Sequence, residues 1–282
     1  MGVSRIYVSA GFDWDPLTSP PPEEIKLSKA PLVSVVAQIR FPPIAAIERA
    51  DSFAPFQERL RKRYFFLREE ESAVFVVGPG GVQPPEPRKI WRLCENPDGT
   101  TGWNVALTRD FLAVDTRSYS SRKDFLQRLE EGLQAVKEIF DPSTILRMGV
   151  RYIDQVLLTE FEEAERLLRK EMLGVGPTRA GGHVSQAVSD VLFAAAEGSL
   201  RARWGFMAPK TTFDPIMIKA VDQKSFVLDL DAFVEEQSDF GDVADVIHRS
   251  RKLAERIYCF FRWAVTDEFL RQFRGDQNAD HA

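Results

Sequence analysis

Histidine and cysteine are scarce in this 282-residue chain: there are three of the first and two of the second. Cys94 and Cys259 alone cannot frame a disulfide-stapled fold or a four-cysteine zinc ribbon, and they lie too far apart for a CxxC redox pair. His183, His248 and His281 give no HxxxH, HxH or HExxH spacing, so metal catalysis has no ligand pattern to rest on. No apolar run approaches the ~20 residues of a transmembrane helix. Met1 to Pro22 lack the basic start and continuous apolar core of a signal peptide, and carry Asp13, Asp15 and Pro20-Pro21-Pro22 instead. Excess positive charge is missing too. With 37 Lys+Arg against 42 Asp+Glu the formal net charge is −5, so the chain as a whole is not drawn to nucleic acid. These absences predict a cytoplasmic protein with reduced thiols, no membrane association and no cofactor.

What is present is a globular composition, 44% hydrophobic and 28% charged, long enough to bury a large core. The prolines of residues 1–29 predict an irregular leader. Ala30–Phe41 reads as a strand stopped by Pro42-Pro43, and Phe53–Phe66 as a short helix. Val74–Val77 is a strand candidate running into a predicted loop over Gly78–Gly81 and Pro84–Pro87. Ile90–Cys94 and Trp103–Thr116 read as strands parted by the turn Asn96-Pro97-Asp98-Gly99. Ser120 or Ser121 caps a helix to Phe140, in which Phe125, Leu129, Leu133 and Val136 recur at helical spacing. After Asp141-Pro142 the pattern continues with a strand over Ile145–Leu158 and a charged helix over Glu160–Leu173. Two strands follow between Val184 and Met207, turning near Glu197-Gly198. A hairpin is predicted over Ile216–Val221 and Ser225–Asp231, then one long helix over Val243–Phe273.

Both halves therefore read strand, short helix, antiparallel strands, long amphipathic helix. The predicted class is α+β, built of two pseudo-repeated halves with helices packed on one face of the sheets. The divisions are a leader over 1–29, halves over 30–145 and 146–273, and a disordered tail over 274–282.

Several phrases carry a family resemblance. They are Pro31-Leu32-Val33 with Ile39-Arg40-Phe41; Leu107 to Thr116, with Tyr119 and Asp124-Phe125 after it; Arg147-Met148-Gly149-Val150-Arg151-Tyr152-Ile153-Asp154; and Leu228-Asp229-Leu230-Asp231, then His248 and Val265-Thr266-Asp267-Glu268. Over roughly residues 27–273 the chain resembles a sporadically distributed bacterial family of unknown function and about this length. The chain departs from that family at Asp154, where Asn is usual. The resemblance implies a bacterial cytoplasmic protein, and the family's patchy distribution implies an accessory role in defence or in neutralising toxins. It implies no catalytic residues and no cofactor.

Four groups of residues could carry chemistry. Asp229 and Asp231 form a DxD pair that in an enzyme would hold Mg²⁺ with a third acid. On a strand, though, they share one face while Leu228 and Leu230 enter the core, which reads as a solvated surface strand. Arg179 and His183 lie in the glycine-rich stretch Gly174–His183, a frame able to clamp a phosphate. It follows a helix, whereas phosphate loops follow a strand and open a helix. Arg59 and Arg63 precede Tyr64-Phe65-Phe66, and Arg201 and Arg203 adjoin Trp204. Such basic–aromatic groups bind RNA if they converge on one surface. The competing reading is a cationic helix end followed by the neutralising run Glu69-Glu70-Glu71. Cys259 has no base within reach, since His248 is eleven residues earlier, about 16 Å along the same predicted helix. The phenylalanines at 53, 56, 65 and 66 exceed what a short helix buries, and any exposed ones would mark an interface. The leading expectation is thus a non-enzymatic binding or regulatory protein that meets another protein or a second copy of itself. An RNA-binding or RNA-processing protein and a Mg-dependent enzyme are the alternatives.

Overall fold

The computed structural model describes residues 14–78, 81–159 and 161–274. Its centre is one antiparallel sheet of nine strands. These are β1 (Leu32–Arg40), β2 (Phe66–Gly78), β3 (Gly81–Cys94), β4 (Trp103–Thr108), β5 (Phe111–Thr116), β7 (Arg147–Leu157), β8 (Ala187–Ala195), β9 (Gly198–Met207) and β10 (Ser225–Val234). They lie in the order β2-β3-β4-β5-β1-β7-β10-β9-β8, so both halves of the sequence share one continuous sheet. The short β6 (Thr144–Ile145) and β11 (Ser238–Asp239) pair separately. Five helices complete the mixed α and β fold: α1 (Ala50–Leu60), α2 (Arg122–Phe140), α3 (Phe161–Leu167), α4 (Val243–Ala264) and α5 (Asp267–Arg274).

Period-two alternation sorts the strand side chains between two faces. Val35, Ala37 and Ile39 of β1 lie opposite Tyr152, Val150 and Met148 of β7. On this inner face they join Leu112, Val114, Leu228 and Leu230 in the main apolar cluster. Phe53 and Phe56 of α1, Phe125, Leu129 and Leu133 of α2, and Leu253, Ile257 and Phe260 of α4 belong to the same cluster. Phe53 stacks on Trp91 with ring centroids 4.3 Å apart, and the Trp91 indole N–H donates to the Ile47 carbonyl at 2.7 Å. Burial of such rings away from water, roughly 25 cal/mol per Å² of apolar surface, is the main term holding the layers together.

The capping prediction is met at α2: the Asp124 N–H donates to the Ser121 hydroxyl at 3.1 Å. Asp141 ends the helix in the left-handed region, at φ 44°. Ser121→Ala is expected to cost about 1 kcal/mol, read as a lower urea midpoint at unchanged slope.

Four local expectations are corrected. Pro84, Pro85 and Pro87 stand inside β3, not in a loop. β3 meets β4 only through Trp91–Cys94, so its first half is an edge, and its register against β2 shifts between Val74 and Val76. Edges and bulges are where a strand tolerates proline. Ile216–Val221 is not a strand. It lies in an irregular excursion over residues 208–224 that sets Ile218 against Ile153, Met207 and Val227 on the outer face. The long C-terminal helix breaks at Val265-Thr266, and the helix after β7 stops at Leu167, for one shared reason. Leu168 and Val265 form a β-bridge, the Arg169 N–H donates to the Ala264 carbonyl, and the Thr266 N–H donates to the Leu167 carbonyl. The two helix ends satisfy each other's open backbone groups. The tail prediction, His281 included, lies outside the described residues beyond Arg274.

The leader holds no helix or strand over residues 14–29, yet it is anchored. Arg256, only 3% exposed, pairs with Glu197 at 2.7 Å and donates to the carbonyls of Pro16 and Ser19. Further along, the Ile25 N–H donates to the Tyr258 hydroxyl at 2.8 Å, and the Lys29 N–H donates to the Phe273 carbonyl.

Candidate functional site

The outer face brings four of the expected residues together. Asp229 lies opposite Arg203, and Asp231 opposite Arg201, across β9–β10. On the other flank β7 supplies Arg147 and Arg151. Arg151 grips Asp229 through two bonds of 2.7 and 2.8 Å and reaches Asp214 at 2.7 Å, while Arg147 holds Asp231 at 2.9 Å. Arg201 and Arg203 both turn to Asp190 of β8, at 2.7 and 3.2 Å. A recess of 210 Å³ is lined by Arg151, Arg201, Arg203, Asp214, Asp229 and Asp231.

The solvated-strand reading of Asp229 and Asp231 is corrected here. β10 is an interior strand and Asp229 is 5% exposed, a burial made tolerable by arginine on the neighbouring strand. Burial, together with the Asp229 charge, raises the Asp231 carboxyl against the pull of Arg147. Burial works on Asp214 in the same direction, but the hydrogen bond and charge of Arg151 hold it below the ordinary carboxylate range. Asp214 is the third acid that the Mg²⁺ reading required, but it joins Asp229 through a guanidinium. Among the described residues no group of three His, Cys, Asp or Glu side chains is placed to hold a metal ion.

Arg59 and Arg63 are elsewhere. They pair with Glu138 and Glu131 of α2, at 3.1 and 2.9 Å, on the side of the inner-face core. The single basic surface that the alternative RNA reading requires of them with Arg201 and Arg203 does not form, because acidic partners on neighbouring elements take up each group separately. Arg179 and His183 are exposed on the segment between α3 and β8, and neither lines the apolar hollow of 140 Å³ beside it. His248 is exposed on α4 beside Arg249 and Lys252. Burial raises both the Cys94 and Cys259 thiols, so neither is poised as a thiolate nucleophile. Phe53 and Phe56 are buried, whereas Phe65 and Phe66 are 67% and 41% exposed.

One concave feature among the described residues was not expected. A cavity of 680 Å³ opens between the inner sheet face, the start of α2, the middle of α4 and leader residues 24–30. Apolar walls come from Ile25, Leu27, Leu32, Ile257 and Phe261, and aromatic hydroxyls from Tyr119, Tyr152 and Tyr258. The Tyr119 and Tyr152 hydroxyls share a hydrogen bond of 3.2 Å, and burial raises both phenols, which keeps them neutral. Arg122, at the first turn of α2, pairs with Glu24 of the leader at 3.2 Å, with its guanidinium 5.6 Å from the Tyr258 ring centre. Asp154 of β7 lies on the inner face, between Leu32 of β1 and Leu228 of β10.

Asp154 is 8% exposed, and its carboxyl makes no hydrogen bond or ion pair with any described residue. Burial alone pushes it up to about 7. Buried carboxyls are normally paired, and one left unpaired in the wall of a ligand-sized cavity is the mark of a binding or reacting site. No protein-family model matches the chain, and no curated protein matches its sequence.

Proposed function

We propose that this chain is a non-enzymatic binding protein, and that the cavity between β7, α2, α4 and the leader receives a small ligand. The observation that carries this reading is the unpaired, buried Asp154 carboxyl in the wall of a 680 Å³ space, within the usual range for small-molecule sites. Thiols raised by burial favour binding over cysteine-based covalent catalysis. No helix among the described residues is long and apolar enough to cross a membrane. We place the chain in the bacterial cytoplasm, with the family that it resembles and the accessory role which that resemblance implies.

We also read the chain as two pseudo-repeated halves whose helices share one sheet face. Supporting this, β1-β5-β4-β3-β2 on one side of the centre is answered by β7-β10-β9-β8 on the other, with the first strand of each half paired antiparallel. The cavity then lies where the halves meet. Recognition of another protein is a second reading, favoured by the exposed Phe65 and Phe66 rings.

A thermal-shift screen of small molecules tests the cavity. Ligands that raise the melting temperature of the wild type are expected to lose that effect in Leu32→Trp, whose indole fills the space. Either a screen without such ligands or a shift untouched by Leu32→Trp would refute the assignment.

A further inference from the structure

We propose that the ligand of this cavity is a protonated organic amine with an apolar or aromatic body, its ammonium paired with Asp154 and its body set among Tyr119, Tyr152, Tyr258 and Phe261. The inference rests on the cavity being a ligand site and adds the ligand's class. The unmet valences of the Asp154 carboxyl point to that class. Asp154 offers up to four lone pairs and uses none on a side-chain or backbone donor of the described residues. A carboxylate so enclosed is costly unless a cation or several donors arrive, and the chain brings neither.

The charged groups around the space do not serve. Arg122 of α2 pairs with Glu24 at 3.2 Å, and its buried Nε has no hydrogen-bond partner among the described residues. Lys26 of the leader lines the cavity but is exposed. Arg262 of α4 donates to the Glu23 carbonyl and the Tyr258 hydroxyl. Against Asp154 itself stand only apolar groups from the remaining elements: Leu32 of β1, Leu228 of β10, Leu168 after α3, and Phe269 of α5. The facing titratable groups are therefore Glu24, Lys26, Tyr119, Arg122, Tyr152 and Tyr258. None of them makes an ion pair or a hydrogen bond with Asp154.

Aromatic rings complete the argument. Their electron-rich faces attract an ammonium, and Tyr119 and Tyr152 meet edge to face, with centroids 5.5 Å apart, so that both rings border the same space. A neutral hydroxyl or amide would give Asp154 only an uncharged hydrogen bond, and an anion would be repelled by its carboxylate. An amine would convert the unmet Asp154 carboxyl into a charge-assisted hydrogen bond.

The probe is 2-phenylethylammonium, titrated calorimetrically into the full chain at pH 6 and pH 8, with neutral 2-phenylethanol as its counterpart. Binding needs ionised Asp154, so the ammonium is expected to bind about tenfold more tightly at pH 8 than at pH 6. At pH 6 it should release nearly one proton, seen as a dependence of the heat on the buffer used. Asp154→Asn should abolish both the pH dependence and the preference over the alcohol. If alcohol and ammonium bind alike, without proton release, the cavity is a site but the amine assignment is overturned. If neither binds, both fall.

Discussion

Asp154→Asn is expected to make the protein more stable, by about 3 kcal/mol at pH 8 and by almost nothing near pH 4. Burial holds the Asp154 carboxyl at about 7 in the folded chain, against ~3.9 when unfolded. A folded-state value raised in this way means that the native protein keeps a proton which the unfolded chain gives up. Below the unfolded value both states are protonated and there is no penalty. Between pH 4 and pH 7 stability falls as pH rises, and above pH 7 the penalty is constant at about 4 kcal/mol. The amide removes the titration but remains a buried polar group with no partner, so part of the gain is withheld. Urea unfolding of both proteins from pH 4 to pH 8 measures the difference. Parallel curves over that range would show that Asp154 is solvated or paired in solution, and would remove the basis of the cavity assignment. A gain in stability on losing a carboxyl is the pattern of a residue kept for a task other than folding.

In the sequence Asp154 stands out only as a departure from the family that the chain resembles, and its burial in a cavity wall could not be read there for a physical reason. Tyr119, Tyr152 and Asp154 stand in patterned strand and cap phrases, where alternation tells which residues share a face but not what closes over them. The closure comes from the leader and α4, joined by the Ile25–Tyr258 bond across 233 positions. Local signals fared better where local chemistry decides the structure. Ser121 caps, Asp141 takes the left-handed turn, and the alternation of Leu228-Asp229-Leu230-Asp231 sorts core from outer face. Proline misled at Pro84–Pro87, because the rule against proline in strands lapses on an edge, and which strand is an edge is a property of the whole sheet. The basic platform at Arg201 and Arg203 failed for a legible reason. The tight turn at Ala196-Glu197 fixes the β8–β9 register, and that register sets Asp190 opposite Arg203. The helix break at Val265 had no local signal, since it depends on the bridge to Leu168.

Arg151→Met is expected to destabilise the fold by about 3–5 kcal/mol, the cost of leaving a buried carboxylate without its cation. Arg151 holds both oxygens of Asp229, and Asp229 is 5% exposed. Asp214 loses the same partner, but its side chain is 20% exposed and water compensates it in part. The loss belongs to the stranded charge rather than to the pair, so adding Asp229→Leu should return most of the stability. Leucine fits there because Val227 and Ile153 already make the neighbouring outer face apolar. A double-mutant cycle by urea unfolding, with the two single variants and the combined one, isolates the coupling. Additive effects would mean that Arg151 is held by packing and the aspartate is independently solvated. The same experiment bears on the DxD motif. Because Arg151 and Arg147 occupy the carboxylates where a cation would sit, added Mg²⁺ should leave the wild-type midpoint unmoved. In Arg151→Met, with Asp229 and Asp214 unmasked, Mg²⁺ should recover part of the loss. A rise in the wild type would instead show that the arginines yield to the metal and that the aspartates are a cation site. With the wild-type midpoint unmoved, the outer-face network is a self-neutralised surface, and the unpaired Asp154 carboxyl on the inner face is a position where the protein has an interaction still to make.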